Sequence, residues 1–305
     1  MPIARESCHT LSVADFYAKY MLPNQPVLID ISAMTALWRV RTEWTQRQGA
    51  DTGSEDGARC KKPRPAEERQ LDMARLREAF GSEEVTVHNC AKSARRVMGR
   101  LRTSTMSLAE YIDWWETHHT RQGGGGTELA TQDALEAQRR RLAELSSGAA
   151  SAAASAADES VLYYLKDWNF MKAHEAETQL YVRPPYFAED WLNDHEAEHS
   201  GDHRFVYLGP SGTFTPLHKD VLNSFSWSVN ISGRKRWWML PPEAEAALMS
   251  TRTGAQLFDL RDPGSGGAAE ASEYPELPKV MAAGGPLLEF EQGVDEVLFV
   301  PSGWW

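Results

Sequence analysis

Long apolar runs are missing from this chain: none approaches the roughly 18 residues that cross a bilayer, and the opening "MPIARESCHTLS" lacks the apolar stretch of a secretory signal. The expectation is a soluble, intracellular chain with no membrane partner. Cysteine is scarce. Cys8, Cys60 and Cys90 form no CxxC pair, and an odd count points to free thiols in a reducing compartment rather than to a disulfide framework. Positive charge is also in deficit. Lys and Arg number 32 against 43 Asp and Glu, a formal charge of -11, so there is no global basic field and direct nucleic-acid binding is not expected. The one short basic run, "GRKRWW" at 233–238, reads as a strand with a solvated face. No internal repeat is found.

What remains is ample core material. With 305 residues, 42% of them apolar, and 11 tryptophans, the chain can bury a core as one large domain or two small ones. In residues 1–120, "SVADFYAKYML" places Val13, Phe16, Tyr17 and Tyr20 at helical spacing, "PVLIDI" and "EEVTVHNC" read as strands, and 49–69 reads as a charged loop. "SLAEYIDWWETHH" predicts a helix with Ser107 as N-cap and Glu110 three residues on. Residues 121–159 join a glycine run, a charged stretch and an Ala/Ser tract, the composition of a disordered insertion. From 160 to 305, "VLYYL", "HRFVYLG", "SFSWSVNIS", "KRWWML" and "EVLFVPS" predict a β core, with a loop insertion near 243–285. The fold class expected is therefore mainly β with flanking helices (α+β).

Two stretches carry possible metal chemistry. In "TPLHKD", read as the start of a strand, His218 and Asp220 stand at i and i+2, so both side chains reach one side and one ion. Imidazole plus carboxylate suits iron, zinc or manganese; two histidines and a carboxylate form the facial triangle of oxygen-activating ferrous sites. Upstream, "HEAEH" matches the zinc-peptidase pattern, with His195 and His199 as ligands and Glu196 as base on one long helix "YFAEDWLNDHEAEH". Its flanks are charged, and the reading preferred is a polar helix end. In "SFSWSVNI", Phe225, Trp227, Val229 and Ile231 alternate with Ser224, Ser226, Ser228 and Asn230, whose face meets either solvent or a wet cavity.

The run "RFVYLGPSGTFTPLHKDVLNSFSWSVNISGRKRWWMLPP" followed by "EVLFVPSGWW" resembles the jumonji-C (JmjC) class of iron(II)- and 2-oxoglutarate-dependent oxygenases, and within it the jumonji-domain-containing protein 4 group. The likeness extends through "YMLPNQPVLI", "VTVHNC", "SLAEYIDWW", "LYYLKDWNF" and "YFAEDWLND", leaving out 49–69, 121–159 and about 243–285. It implies a double-stranded β-helix, jelly-roll or cupin-like, with Fe(II), 2-oxoglutarate and O2. The implied activity is hydroxylation of a lysine in a protein substrate, the translation termination (peptide-chain release) factor. The implied compartment is the cytoplasm, with the nucleus as a second. Carried over by position, His218 and Asp220 are iron ligands, Thr215 and Lys235 hold the distal carboxylate of 2-oxoglutarate, Tyr164 is a further bond to it, and Ser228 stands where many relatives have asparagine. No histidine follows His218. The resemblance puts the third ligand directly after Trp305 and implies that the last strands of the core lie beyond it. Two readings stay open: an active oxygenase seen in part, or a catalytically impaired binding scaffold.

Overall fold

Strands form where β-branched and aromatic residues cluster. The computed structural model of the protein describes residues 2–47, 69–91, 100–122, 161–174, 180–196, 203–261 and 271–305. Among these residues the first half of the chain gives β1 (Ala4–Ser7), β2 (Val27–Asp30), β3 (Thr45–Arg47), β4 (Arg69–Leu71), β5 (Glu84–Asn89) and β6 (Arg102–Ser107). The second half gives β7 (Tyr163–Trp168), β8 (Val206–Leu208), β9 (Ser226–Val229), β10 (Lys235–Met239), β11 (Leu288–Gln292) and β12 (Glu296–Val300). They pair as β1-β2-β12-β9, β6-β5-β7-β8, β10-β11 and β3-β4, with β1 and β2 parallel and the other pairs antiparallel.

The first of these sheets is apolar on both faces, which fixes its place in the middle of the fold. One face, built from Val27, Ile29, Val297, Phe299, Trp227 and Val229, packs on Phe16, Tyr186 and Phe187. From the opposite face, Leu28 and Leu298 meet Met239, Trp237, Leu288 and Phe290 of β10 and β11. Two sheets thus face each other across an apolar gap, the β-rich jelly-roll arrangement expected. Each fully buried large side chain here is worth about 1.5–3 kcal/mol of transfer free energy.

The sheet β6-β5-β7-β8 is covered by a helix on one side. Val85, Val87, Met106, Tyr163, Leu165 and Leu208 pack under the helix Leu108–Gln122 through Leu108, Tyr111, Ile112 and Trp115. Reciprocal bonds start that helix: Ser107 Oγ accepts from Glu110 N at 3.2 Å, and Glu110 Oε2 accepts from Ser107 N at 2.9 Å. Tyr111, fully buried, donates its hydroxyl proton to the Leu208 carbonyl at 2.8 Å, tying helix to sheet. The other side carries His88, Tyr164 and Tyr207 toward the rest of the molecule, Tyr164 and Tyr207 packing with Phe214 and Phe258.

Three expectations change. Helical spacing at Val13–Phe16 continues as a π-helical turn over Tyr17–Met21. The single helix expected over "YFAEDWLNDHEAEH" is instead a 3-10 turn, Pro185–Phe187, and a separate helix, Trp191–Glu196. The described part of 243–285 is more than a loop: Ala244, Leu248, Leu257, Leu260, Tyr274 and Leu277 form a small hydrophobic cluster with Leu240 and Trp305. The stretches expected as loop and insertion, 49–69 and 121–159, lie almost wholly outside the described residues. Cys8 and Cys90 are free thiols, and Cys60 also lies outside. No helix among the described residues is long and apolar enough to cross a membrane.

Candidate active site

The segment expected to begin a strand does not. Residues 215–220 have no strand partner ladder, and a 3-10 turn, Val221–Asn223, follows directly. Alternation survives all the same. Leu217 packs into the Leu240–Trp305 cluster, and the Lys219 amine lies 4.8 Å from the Trp305 ring centroid. His218 and Asp220 turn the other way, with His218 Nε2 3.7 Å from Asp220 Oδ1. Leu217 N donates to Phe258 O at 2.9 Å and the Gln256 amide donates to Leu217 O, so the 256–258 segment replaces the missing ladder. After Asp220 the chain reverses through Leu222 and Asn223, both left-handed at φ 55° and 52°. Such angles are unfavourable for leucine. Ser302 Oγ donates to the Asn223 carbonyl at 2.5 Å and holds the turn.

The pair fits two corners of a metal site. His218 Nδ1 lies 2.8 Å from the Pro216 carbonyl, which only accepts, so the ring proton sits on Nδ1 and the Nε2 lone pair faces the Asp220 carboxylate. A divalent ion would be met by one neutral nitrogen and one anionic oxygen. Among the described residues no group of three His, Cys, Asp or Glu side chains converges. The third donor is not among them.

Lys235 is placed by register. It shares the inner face of β10 with Trp237 and Met239, both of which pack in the gap between the sheets, and it stands opposite Gln292 of β11. Its neighbours Arg234 and Arg236 point outward to Glu291 and Glu289. Burial pushes the Lys235 amine down to about 8, although part of its surface still meets solvent. Among the described residues the ammonium has no carboxylate and no hydrogen bond. Its contacts are the rings of Tyr207 at 5.1 Å and Trp237 at 5.9 Å.

Tyr164 and Thr215 come together, although they lie about fifty residues apart in sequence: the Thr215 side chain is near enough to favour ionisation of the Tyr164 phenol, but burial outweighs it and holds the phenol protonated. Gly209 packs directly on the Tyr164 ring: an added Cβ there would fall 2.5 Å from the ring and 2.6 Å from Thr213 Oγ1. Ser228, opposite Leu298 in the ladder, lies on the face that looks toward β10 and β11. The serine side of the alternating strand therefore lines the space between the sheets.

Several residues were not anticipated. Fully buried Gln292 accepts from Trp237 Nε1 at 2.9 Å and donates to the carbonyls of Ser228 at 2.7 Å and Glu296 at 2.9 Å, bracing the strand of Lys235 against that of Ser228. Tyr207 donates to Asp167 Oδ1 at 2.9 Å. Asp167 is left-handed, φ 59°, at a bulge between the pairs Leu165–Leu208 and Trp168–Val206, and it also pairs with Lys166. Burial would raise its pKa, but the bonds from Lys166 and Tyr207 outweigh that and hold it low. His88, opposite Tyr164, is lowered to about 4 by burial and by the Lys166 charge, so it is neutral at physiological pH. Nothing in the sequence pattern marks these partners, because the bulge and the buried amide are products of pairing.

The alternative zinc motif cannot be placed: the side chains of His195 and Glu196, and all of His199, lie outside the described residues.

A family model described as a cupin-like domain matches residues 13–305. Over 294 residues, 96% of this chain and 55% of the other, the chain is 31% identical to a Homo sapiens protein named 2-oxoglutarate and iron-dependent oxygenase JMJD4. It is 29% identical over 318 residues, 99% of this chain and 53% of the other, to an Arabidopsis thaliana protein named arginine-specific demethylase JMJ20. Over 155 residues, 48% of this chain and 37% of the other, it is 29% identical to a Caenorhabditis elegans protein named bifunctional arginine demethylase and lysyl-hydroxylase psr-1. The chain spans about half the length of the first two of these relatives.

Proposed function

The chain belongs to the cupin-like domain family, and from that premise we propose that it is the core of an iron(II)- and 2-oxoglutarate-dependent oxygenase acting on a basic side chain of a protein. The observation that carries the reading is the Lys235 amine, crowded, inward-facing and without an anion among the described residues. A cation in that position is costly unless something negative joins it. A small dicarboxylate does so.

The roles follow from placement. Lys235 holds the distal carboxylate of the co-substrate, with the Tyr164 and Thr215 hydroxyls as the neighbouring hydrogen-bonding groups. His218 and Asp220 present a nitrogen and a carboxylate on one side of an extended segment for the metal. Trp237, Met239 and Leu298 keep the inner wall apolar and limit water. Bound iron, 2-oxoglutarate and O2 supply the oxidising power for C–H hydroxylation, with succinate and carbon dioxide as co-products. The third donor, in this reading, is the residue after Trp305. Trp305 exchanges both backbone bonds with Leu240, at 2.8 and 2.9 Å, so the backbone is extended there, and its ring faces Lys219.

The relatives' names include both arginine and lysine chemistry, and the finer reading adopted is lysyl hydroxylation of a peptide-chain release factor, in the cytoplasm and secondarily the nucleus. The test is succinate formation from 2-oxoglutarate in a version extended past Trp305. His218→Ala and Asp220→Ala are each expected to abolish it. Turnover unchanged in both variants would remove the site, and a stop codon after Trp305 would favour the impaired scaffold.

A further inference from the structure

Resting on the proposed function, we infer that Asp167 is a positioning residue for 2-oxoglutarate: it fixes the Tyr207 ring beneath the Lys235 ammonium and so aims the amine at the distal carboxylate. The contacts run without a break from carboxylate to phenol to amine. Asp167 Oδ1 accepts the Tyr207 hydroxyl at 2.9 Å, and the Tyr207 ring centroid lies 5.1 Å from Lys235 Nζ. A phenol that donates to a carboxylate gains electron density in its ring, and a richer ring attracts a cation more strongly. Lysine has a flexible stem and three equivalent donors, so without such a seat its amine has no fixed direction.

The geometry of β7 serves this contact. The bulge places one extra residue between Leu165 and Trp168, and the left-handed Asp167 is the residue that leaves the regular strand to meet Tyr207 on β8. Aspartate and asparagine tolerate that conformation better than other side chains. The second partner, Lys166, neutralises the carboxylate from the β7 side and leaves Oδ1 to the phenol. Asp220 adds to the negative potential around Tyr207, the least of the contributions after burial, Asp167 and Tyr164. The ring therefore touches the candidate carboxylate-binding lysine and feels the charge of the candidate metal pair.

The test uses binding of 2-oxoglutarate to the protein in the presence of Mn(II), measured by calorimetry, with the ring-current shift of the Lys235 ε-methylene protons as a second readout. Asp167→Asn keeps the acceptor and the backbone conformation but loses the charge; Tyr207→Phe keeps the ring but loses the hydroxyl. Each is expected to weaken binding by about fivefold, the scale of one partly desolvated cation–π contact, and the double variant no further. The methylene shift is expected to relax in both. If Lys235→Met abolishes binding while Asp167→Asn and Tyr207→Phe bind as the parent does, the inference fails and the proposed function stands. If Lys235→Met also binds as the parent does, the proposed function fails and takes the inference with it.

Discussion

The two faces of the β10–β11 ladder treat the same kind of residue in opposite ways. Outside, Arg236 meets Glu289 and Arg234 lies 3.6 Å from Glu291, all four in contact with water. Inside, Lys235 sits between those arginines in sequence, and among the described residues its charge meets only aromatic rings. Exposed cross-strand pairs contribute little, because water already solvates both partners and long side chains lose freedom on pairing. The inner cation has the reverse balance: it weakens the empty fold and gives strength to whatever anion arrives. A stability argument explains the outer face and fails on the inner one, so the inner face is where function is read.

The largest test of this contrast is Lys235→Met, expected to weaken 2-oxoglutarate binding by at least about a hundredfold, the loss of a charge-assisted contact in a crowded site, while Arg236→Gln leaves binding unchanged by calorimetry. Next comes the brace behind the lysine. Trp237→Phe strands the buried Gln292 oxygen and is expected to cost about 1–3 kcal/mol in a denaturant titration. Third, the unliganded Lys235→Met protein is expected to melt about 2–4 °C above the parent at neutral pH, the scale of about 1 kcal/mol in a domain of this size. This difference depends on pH with a definite sign. Folded, the amine keeps its proton only to about pH 8; unfolded, it keeps it to 10.5. Across that window the unfolded chain holds the extra proton, so parent stability rises with pH and its deficit against Lys235→Met closes, as melts at several pH values would show. Over the same range 2-oxoglutarate binding falls. The smallest effect is on the outer face, where Arg236→Gln is expected to change stability by under about 0.5 kcal/mol.

Much of the core was legible because its strands alternate or are densely apolar. The alternation of Trp227 and Val229 with serines, the run Val297–Phe299, and the helix signalled by Ser107 and Glu110 all appear where the pattern puts them. Strand β6, "RTSTMS", carries too few apolar residues to announce itself, and β11 alternates charge with apolar side chains beyond the expected insertion. Both are made by their partners. At the site, His218 and Asp220 were read as a strand-borne pair; they are a pair on an unpaired extended segment, because two residues of extended backbone suffice for the geometry. The packing of Tyr164 against Gly209 was invisible to period counting, since it depends on a missing Cβ from another segment. Long-range pairing, not local propensity, decides such features.

The turn after Asp220 is tethered by a serine 79 residues further along the chain. Until that serine is made the turn has only its local bonds, Asn223 N to the Asp220 carbonyl at 3.2 Å and Ser224 N to the Val221 carbonyl at 2.9 Å, so on the ribosome the left-handed pair Leu222 and Asn223 waits for Ser302 before it is pinned from outside.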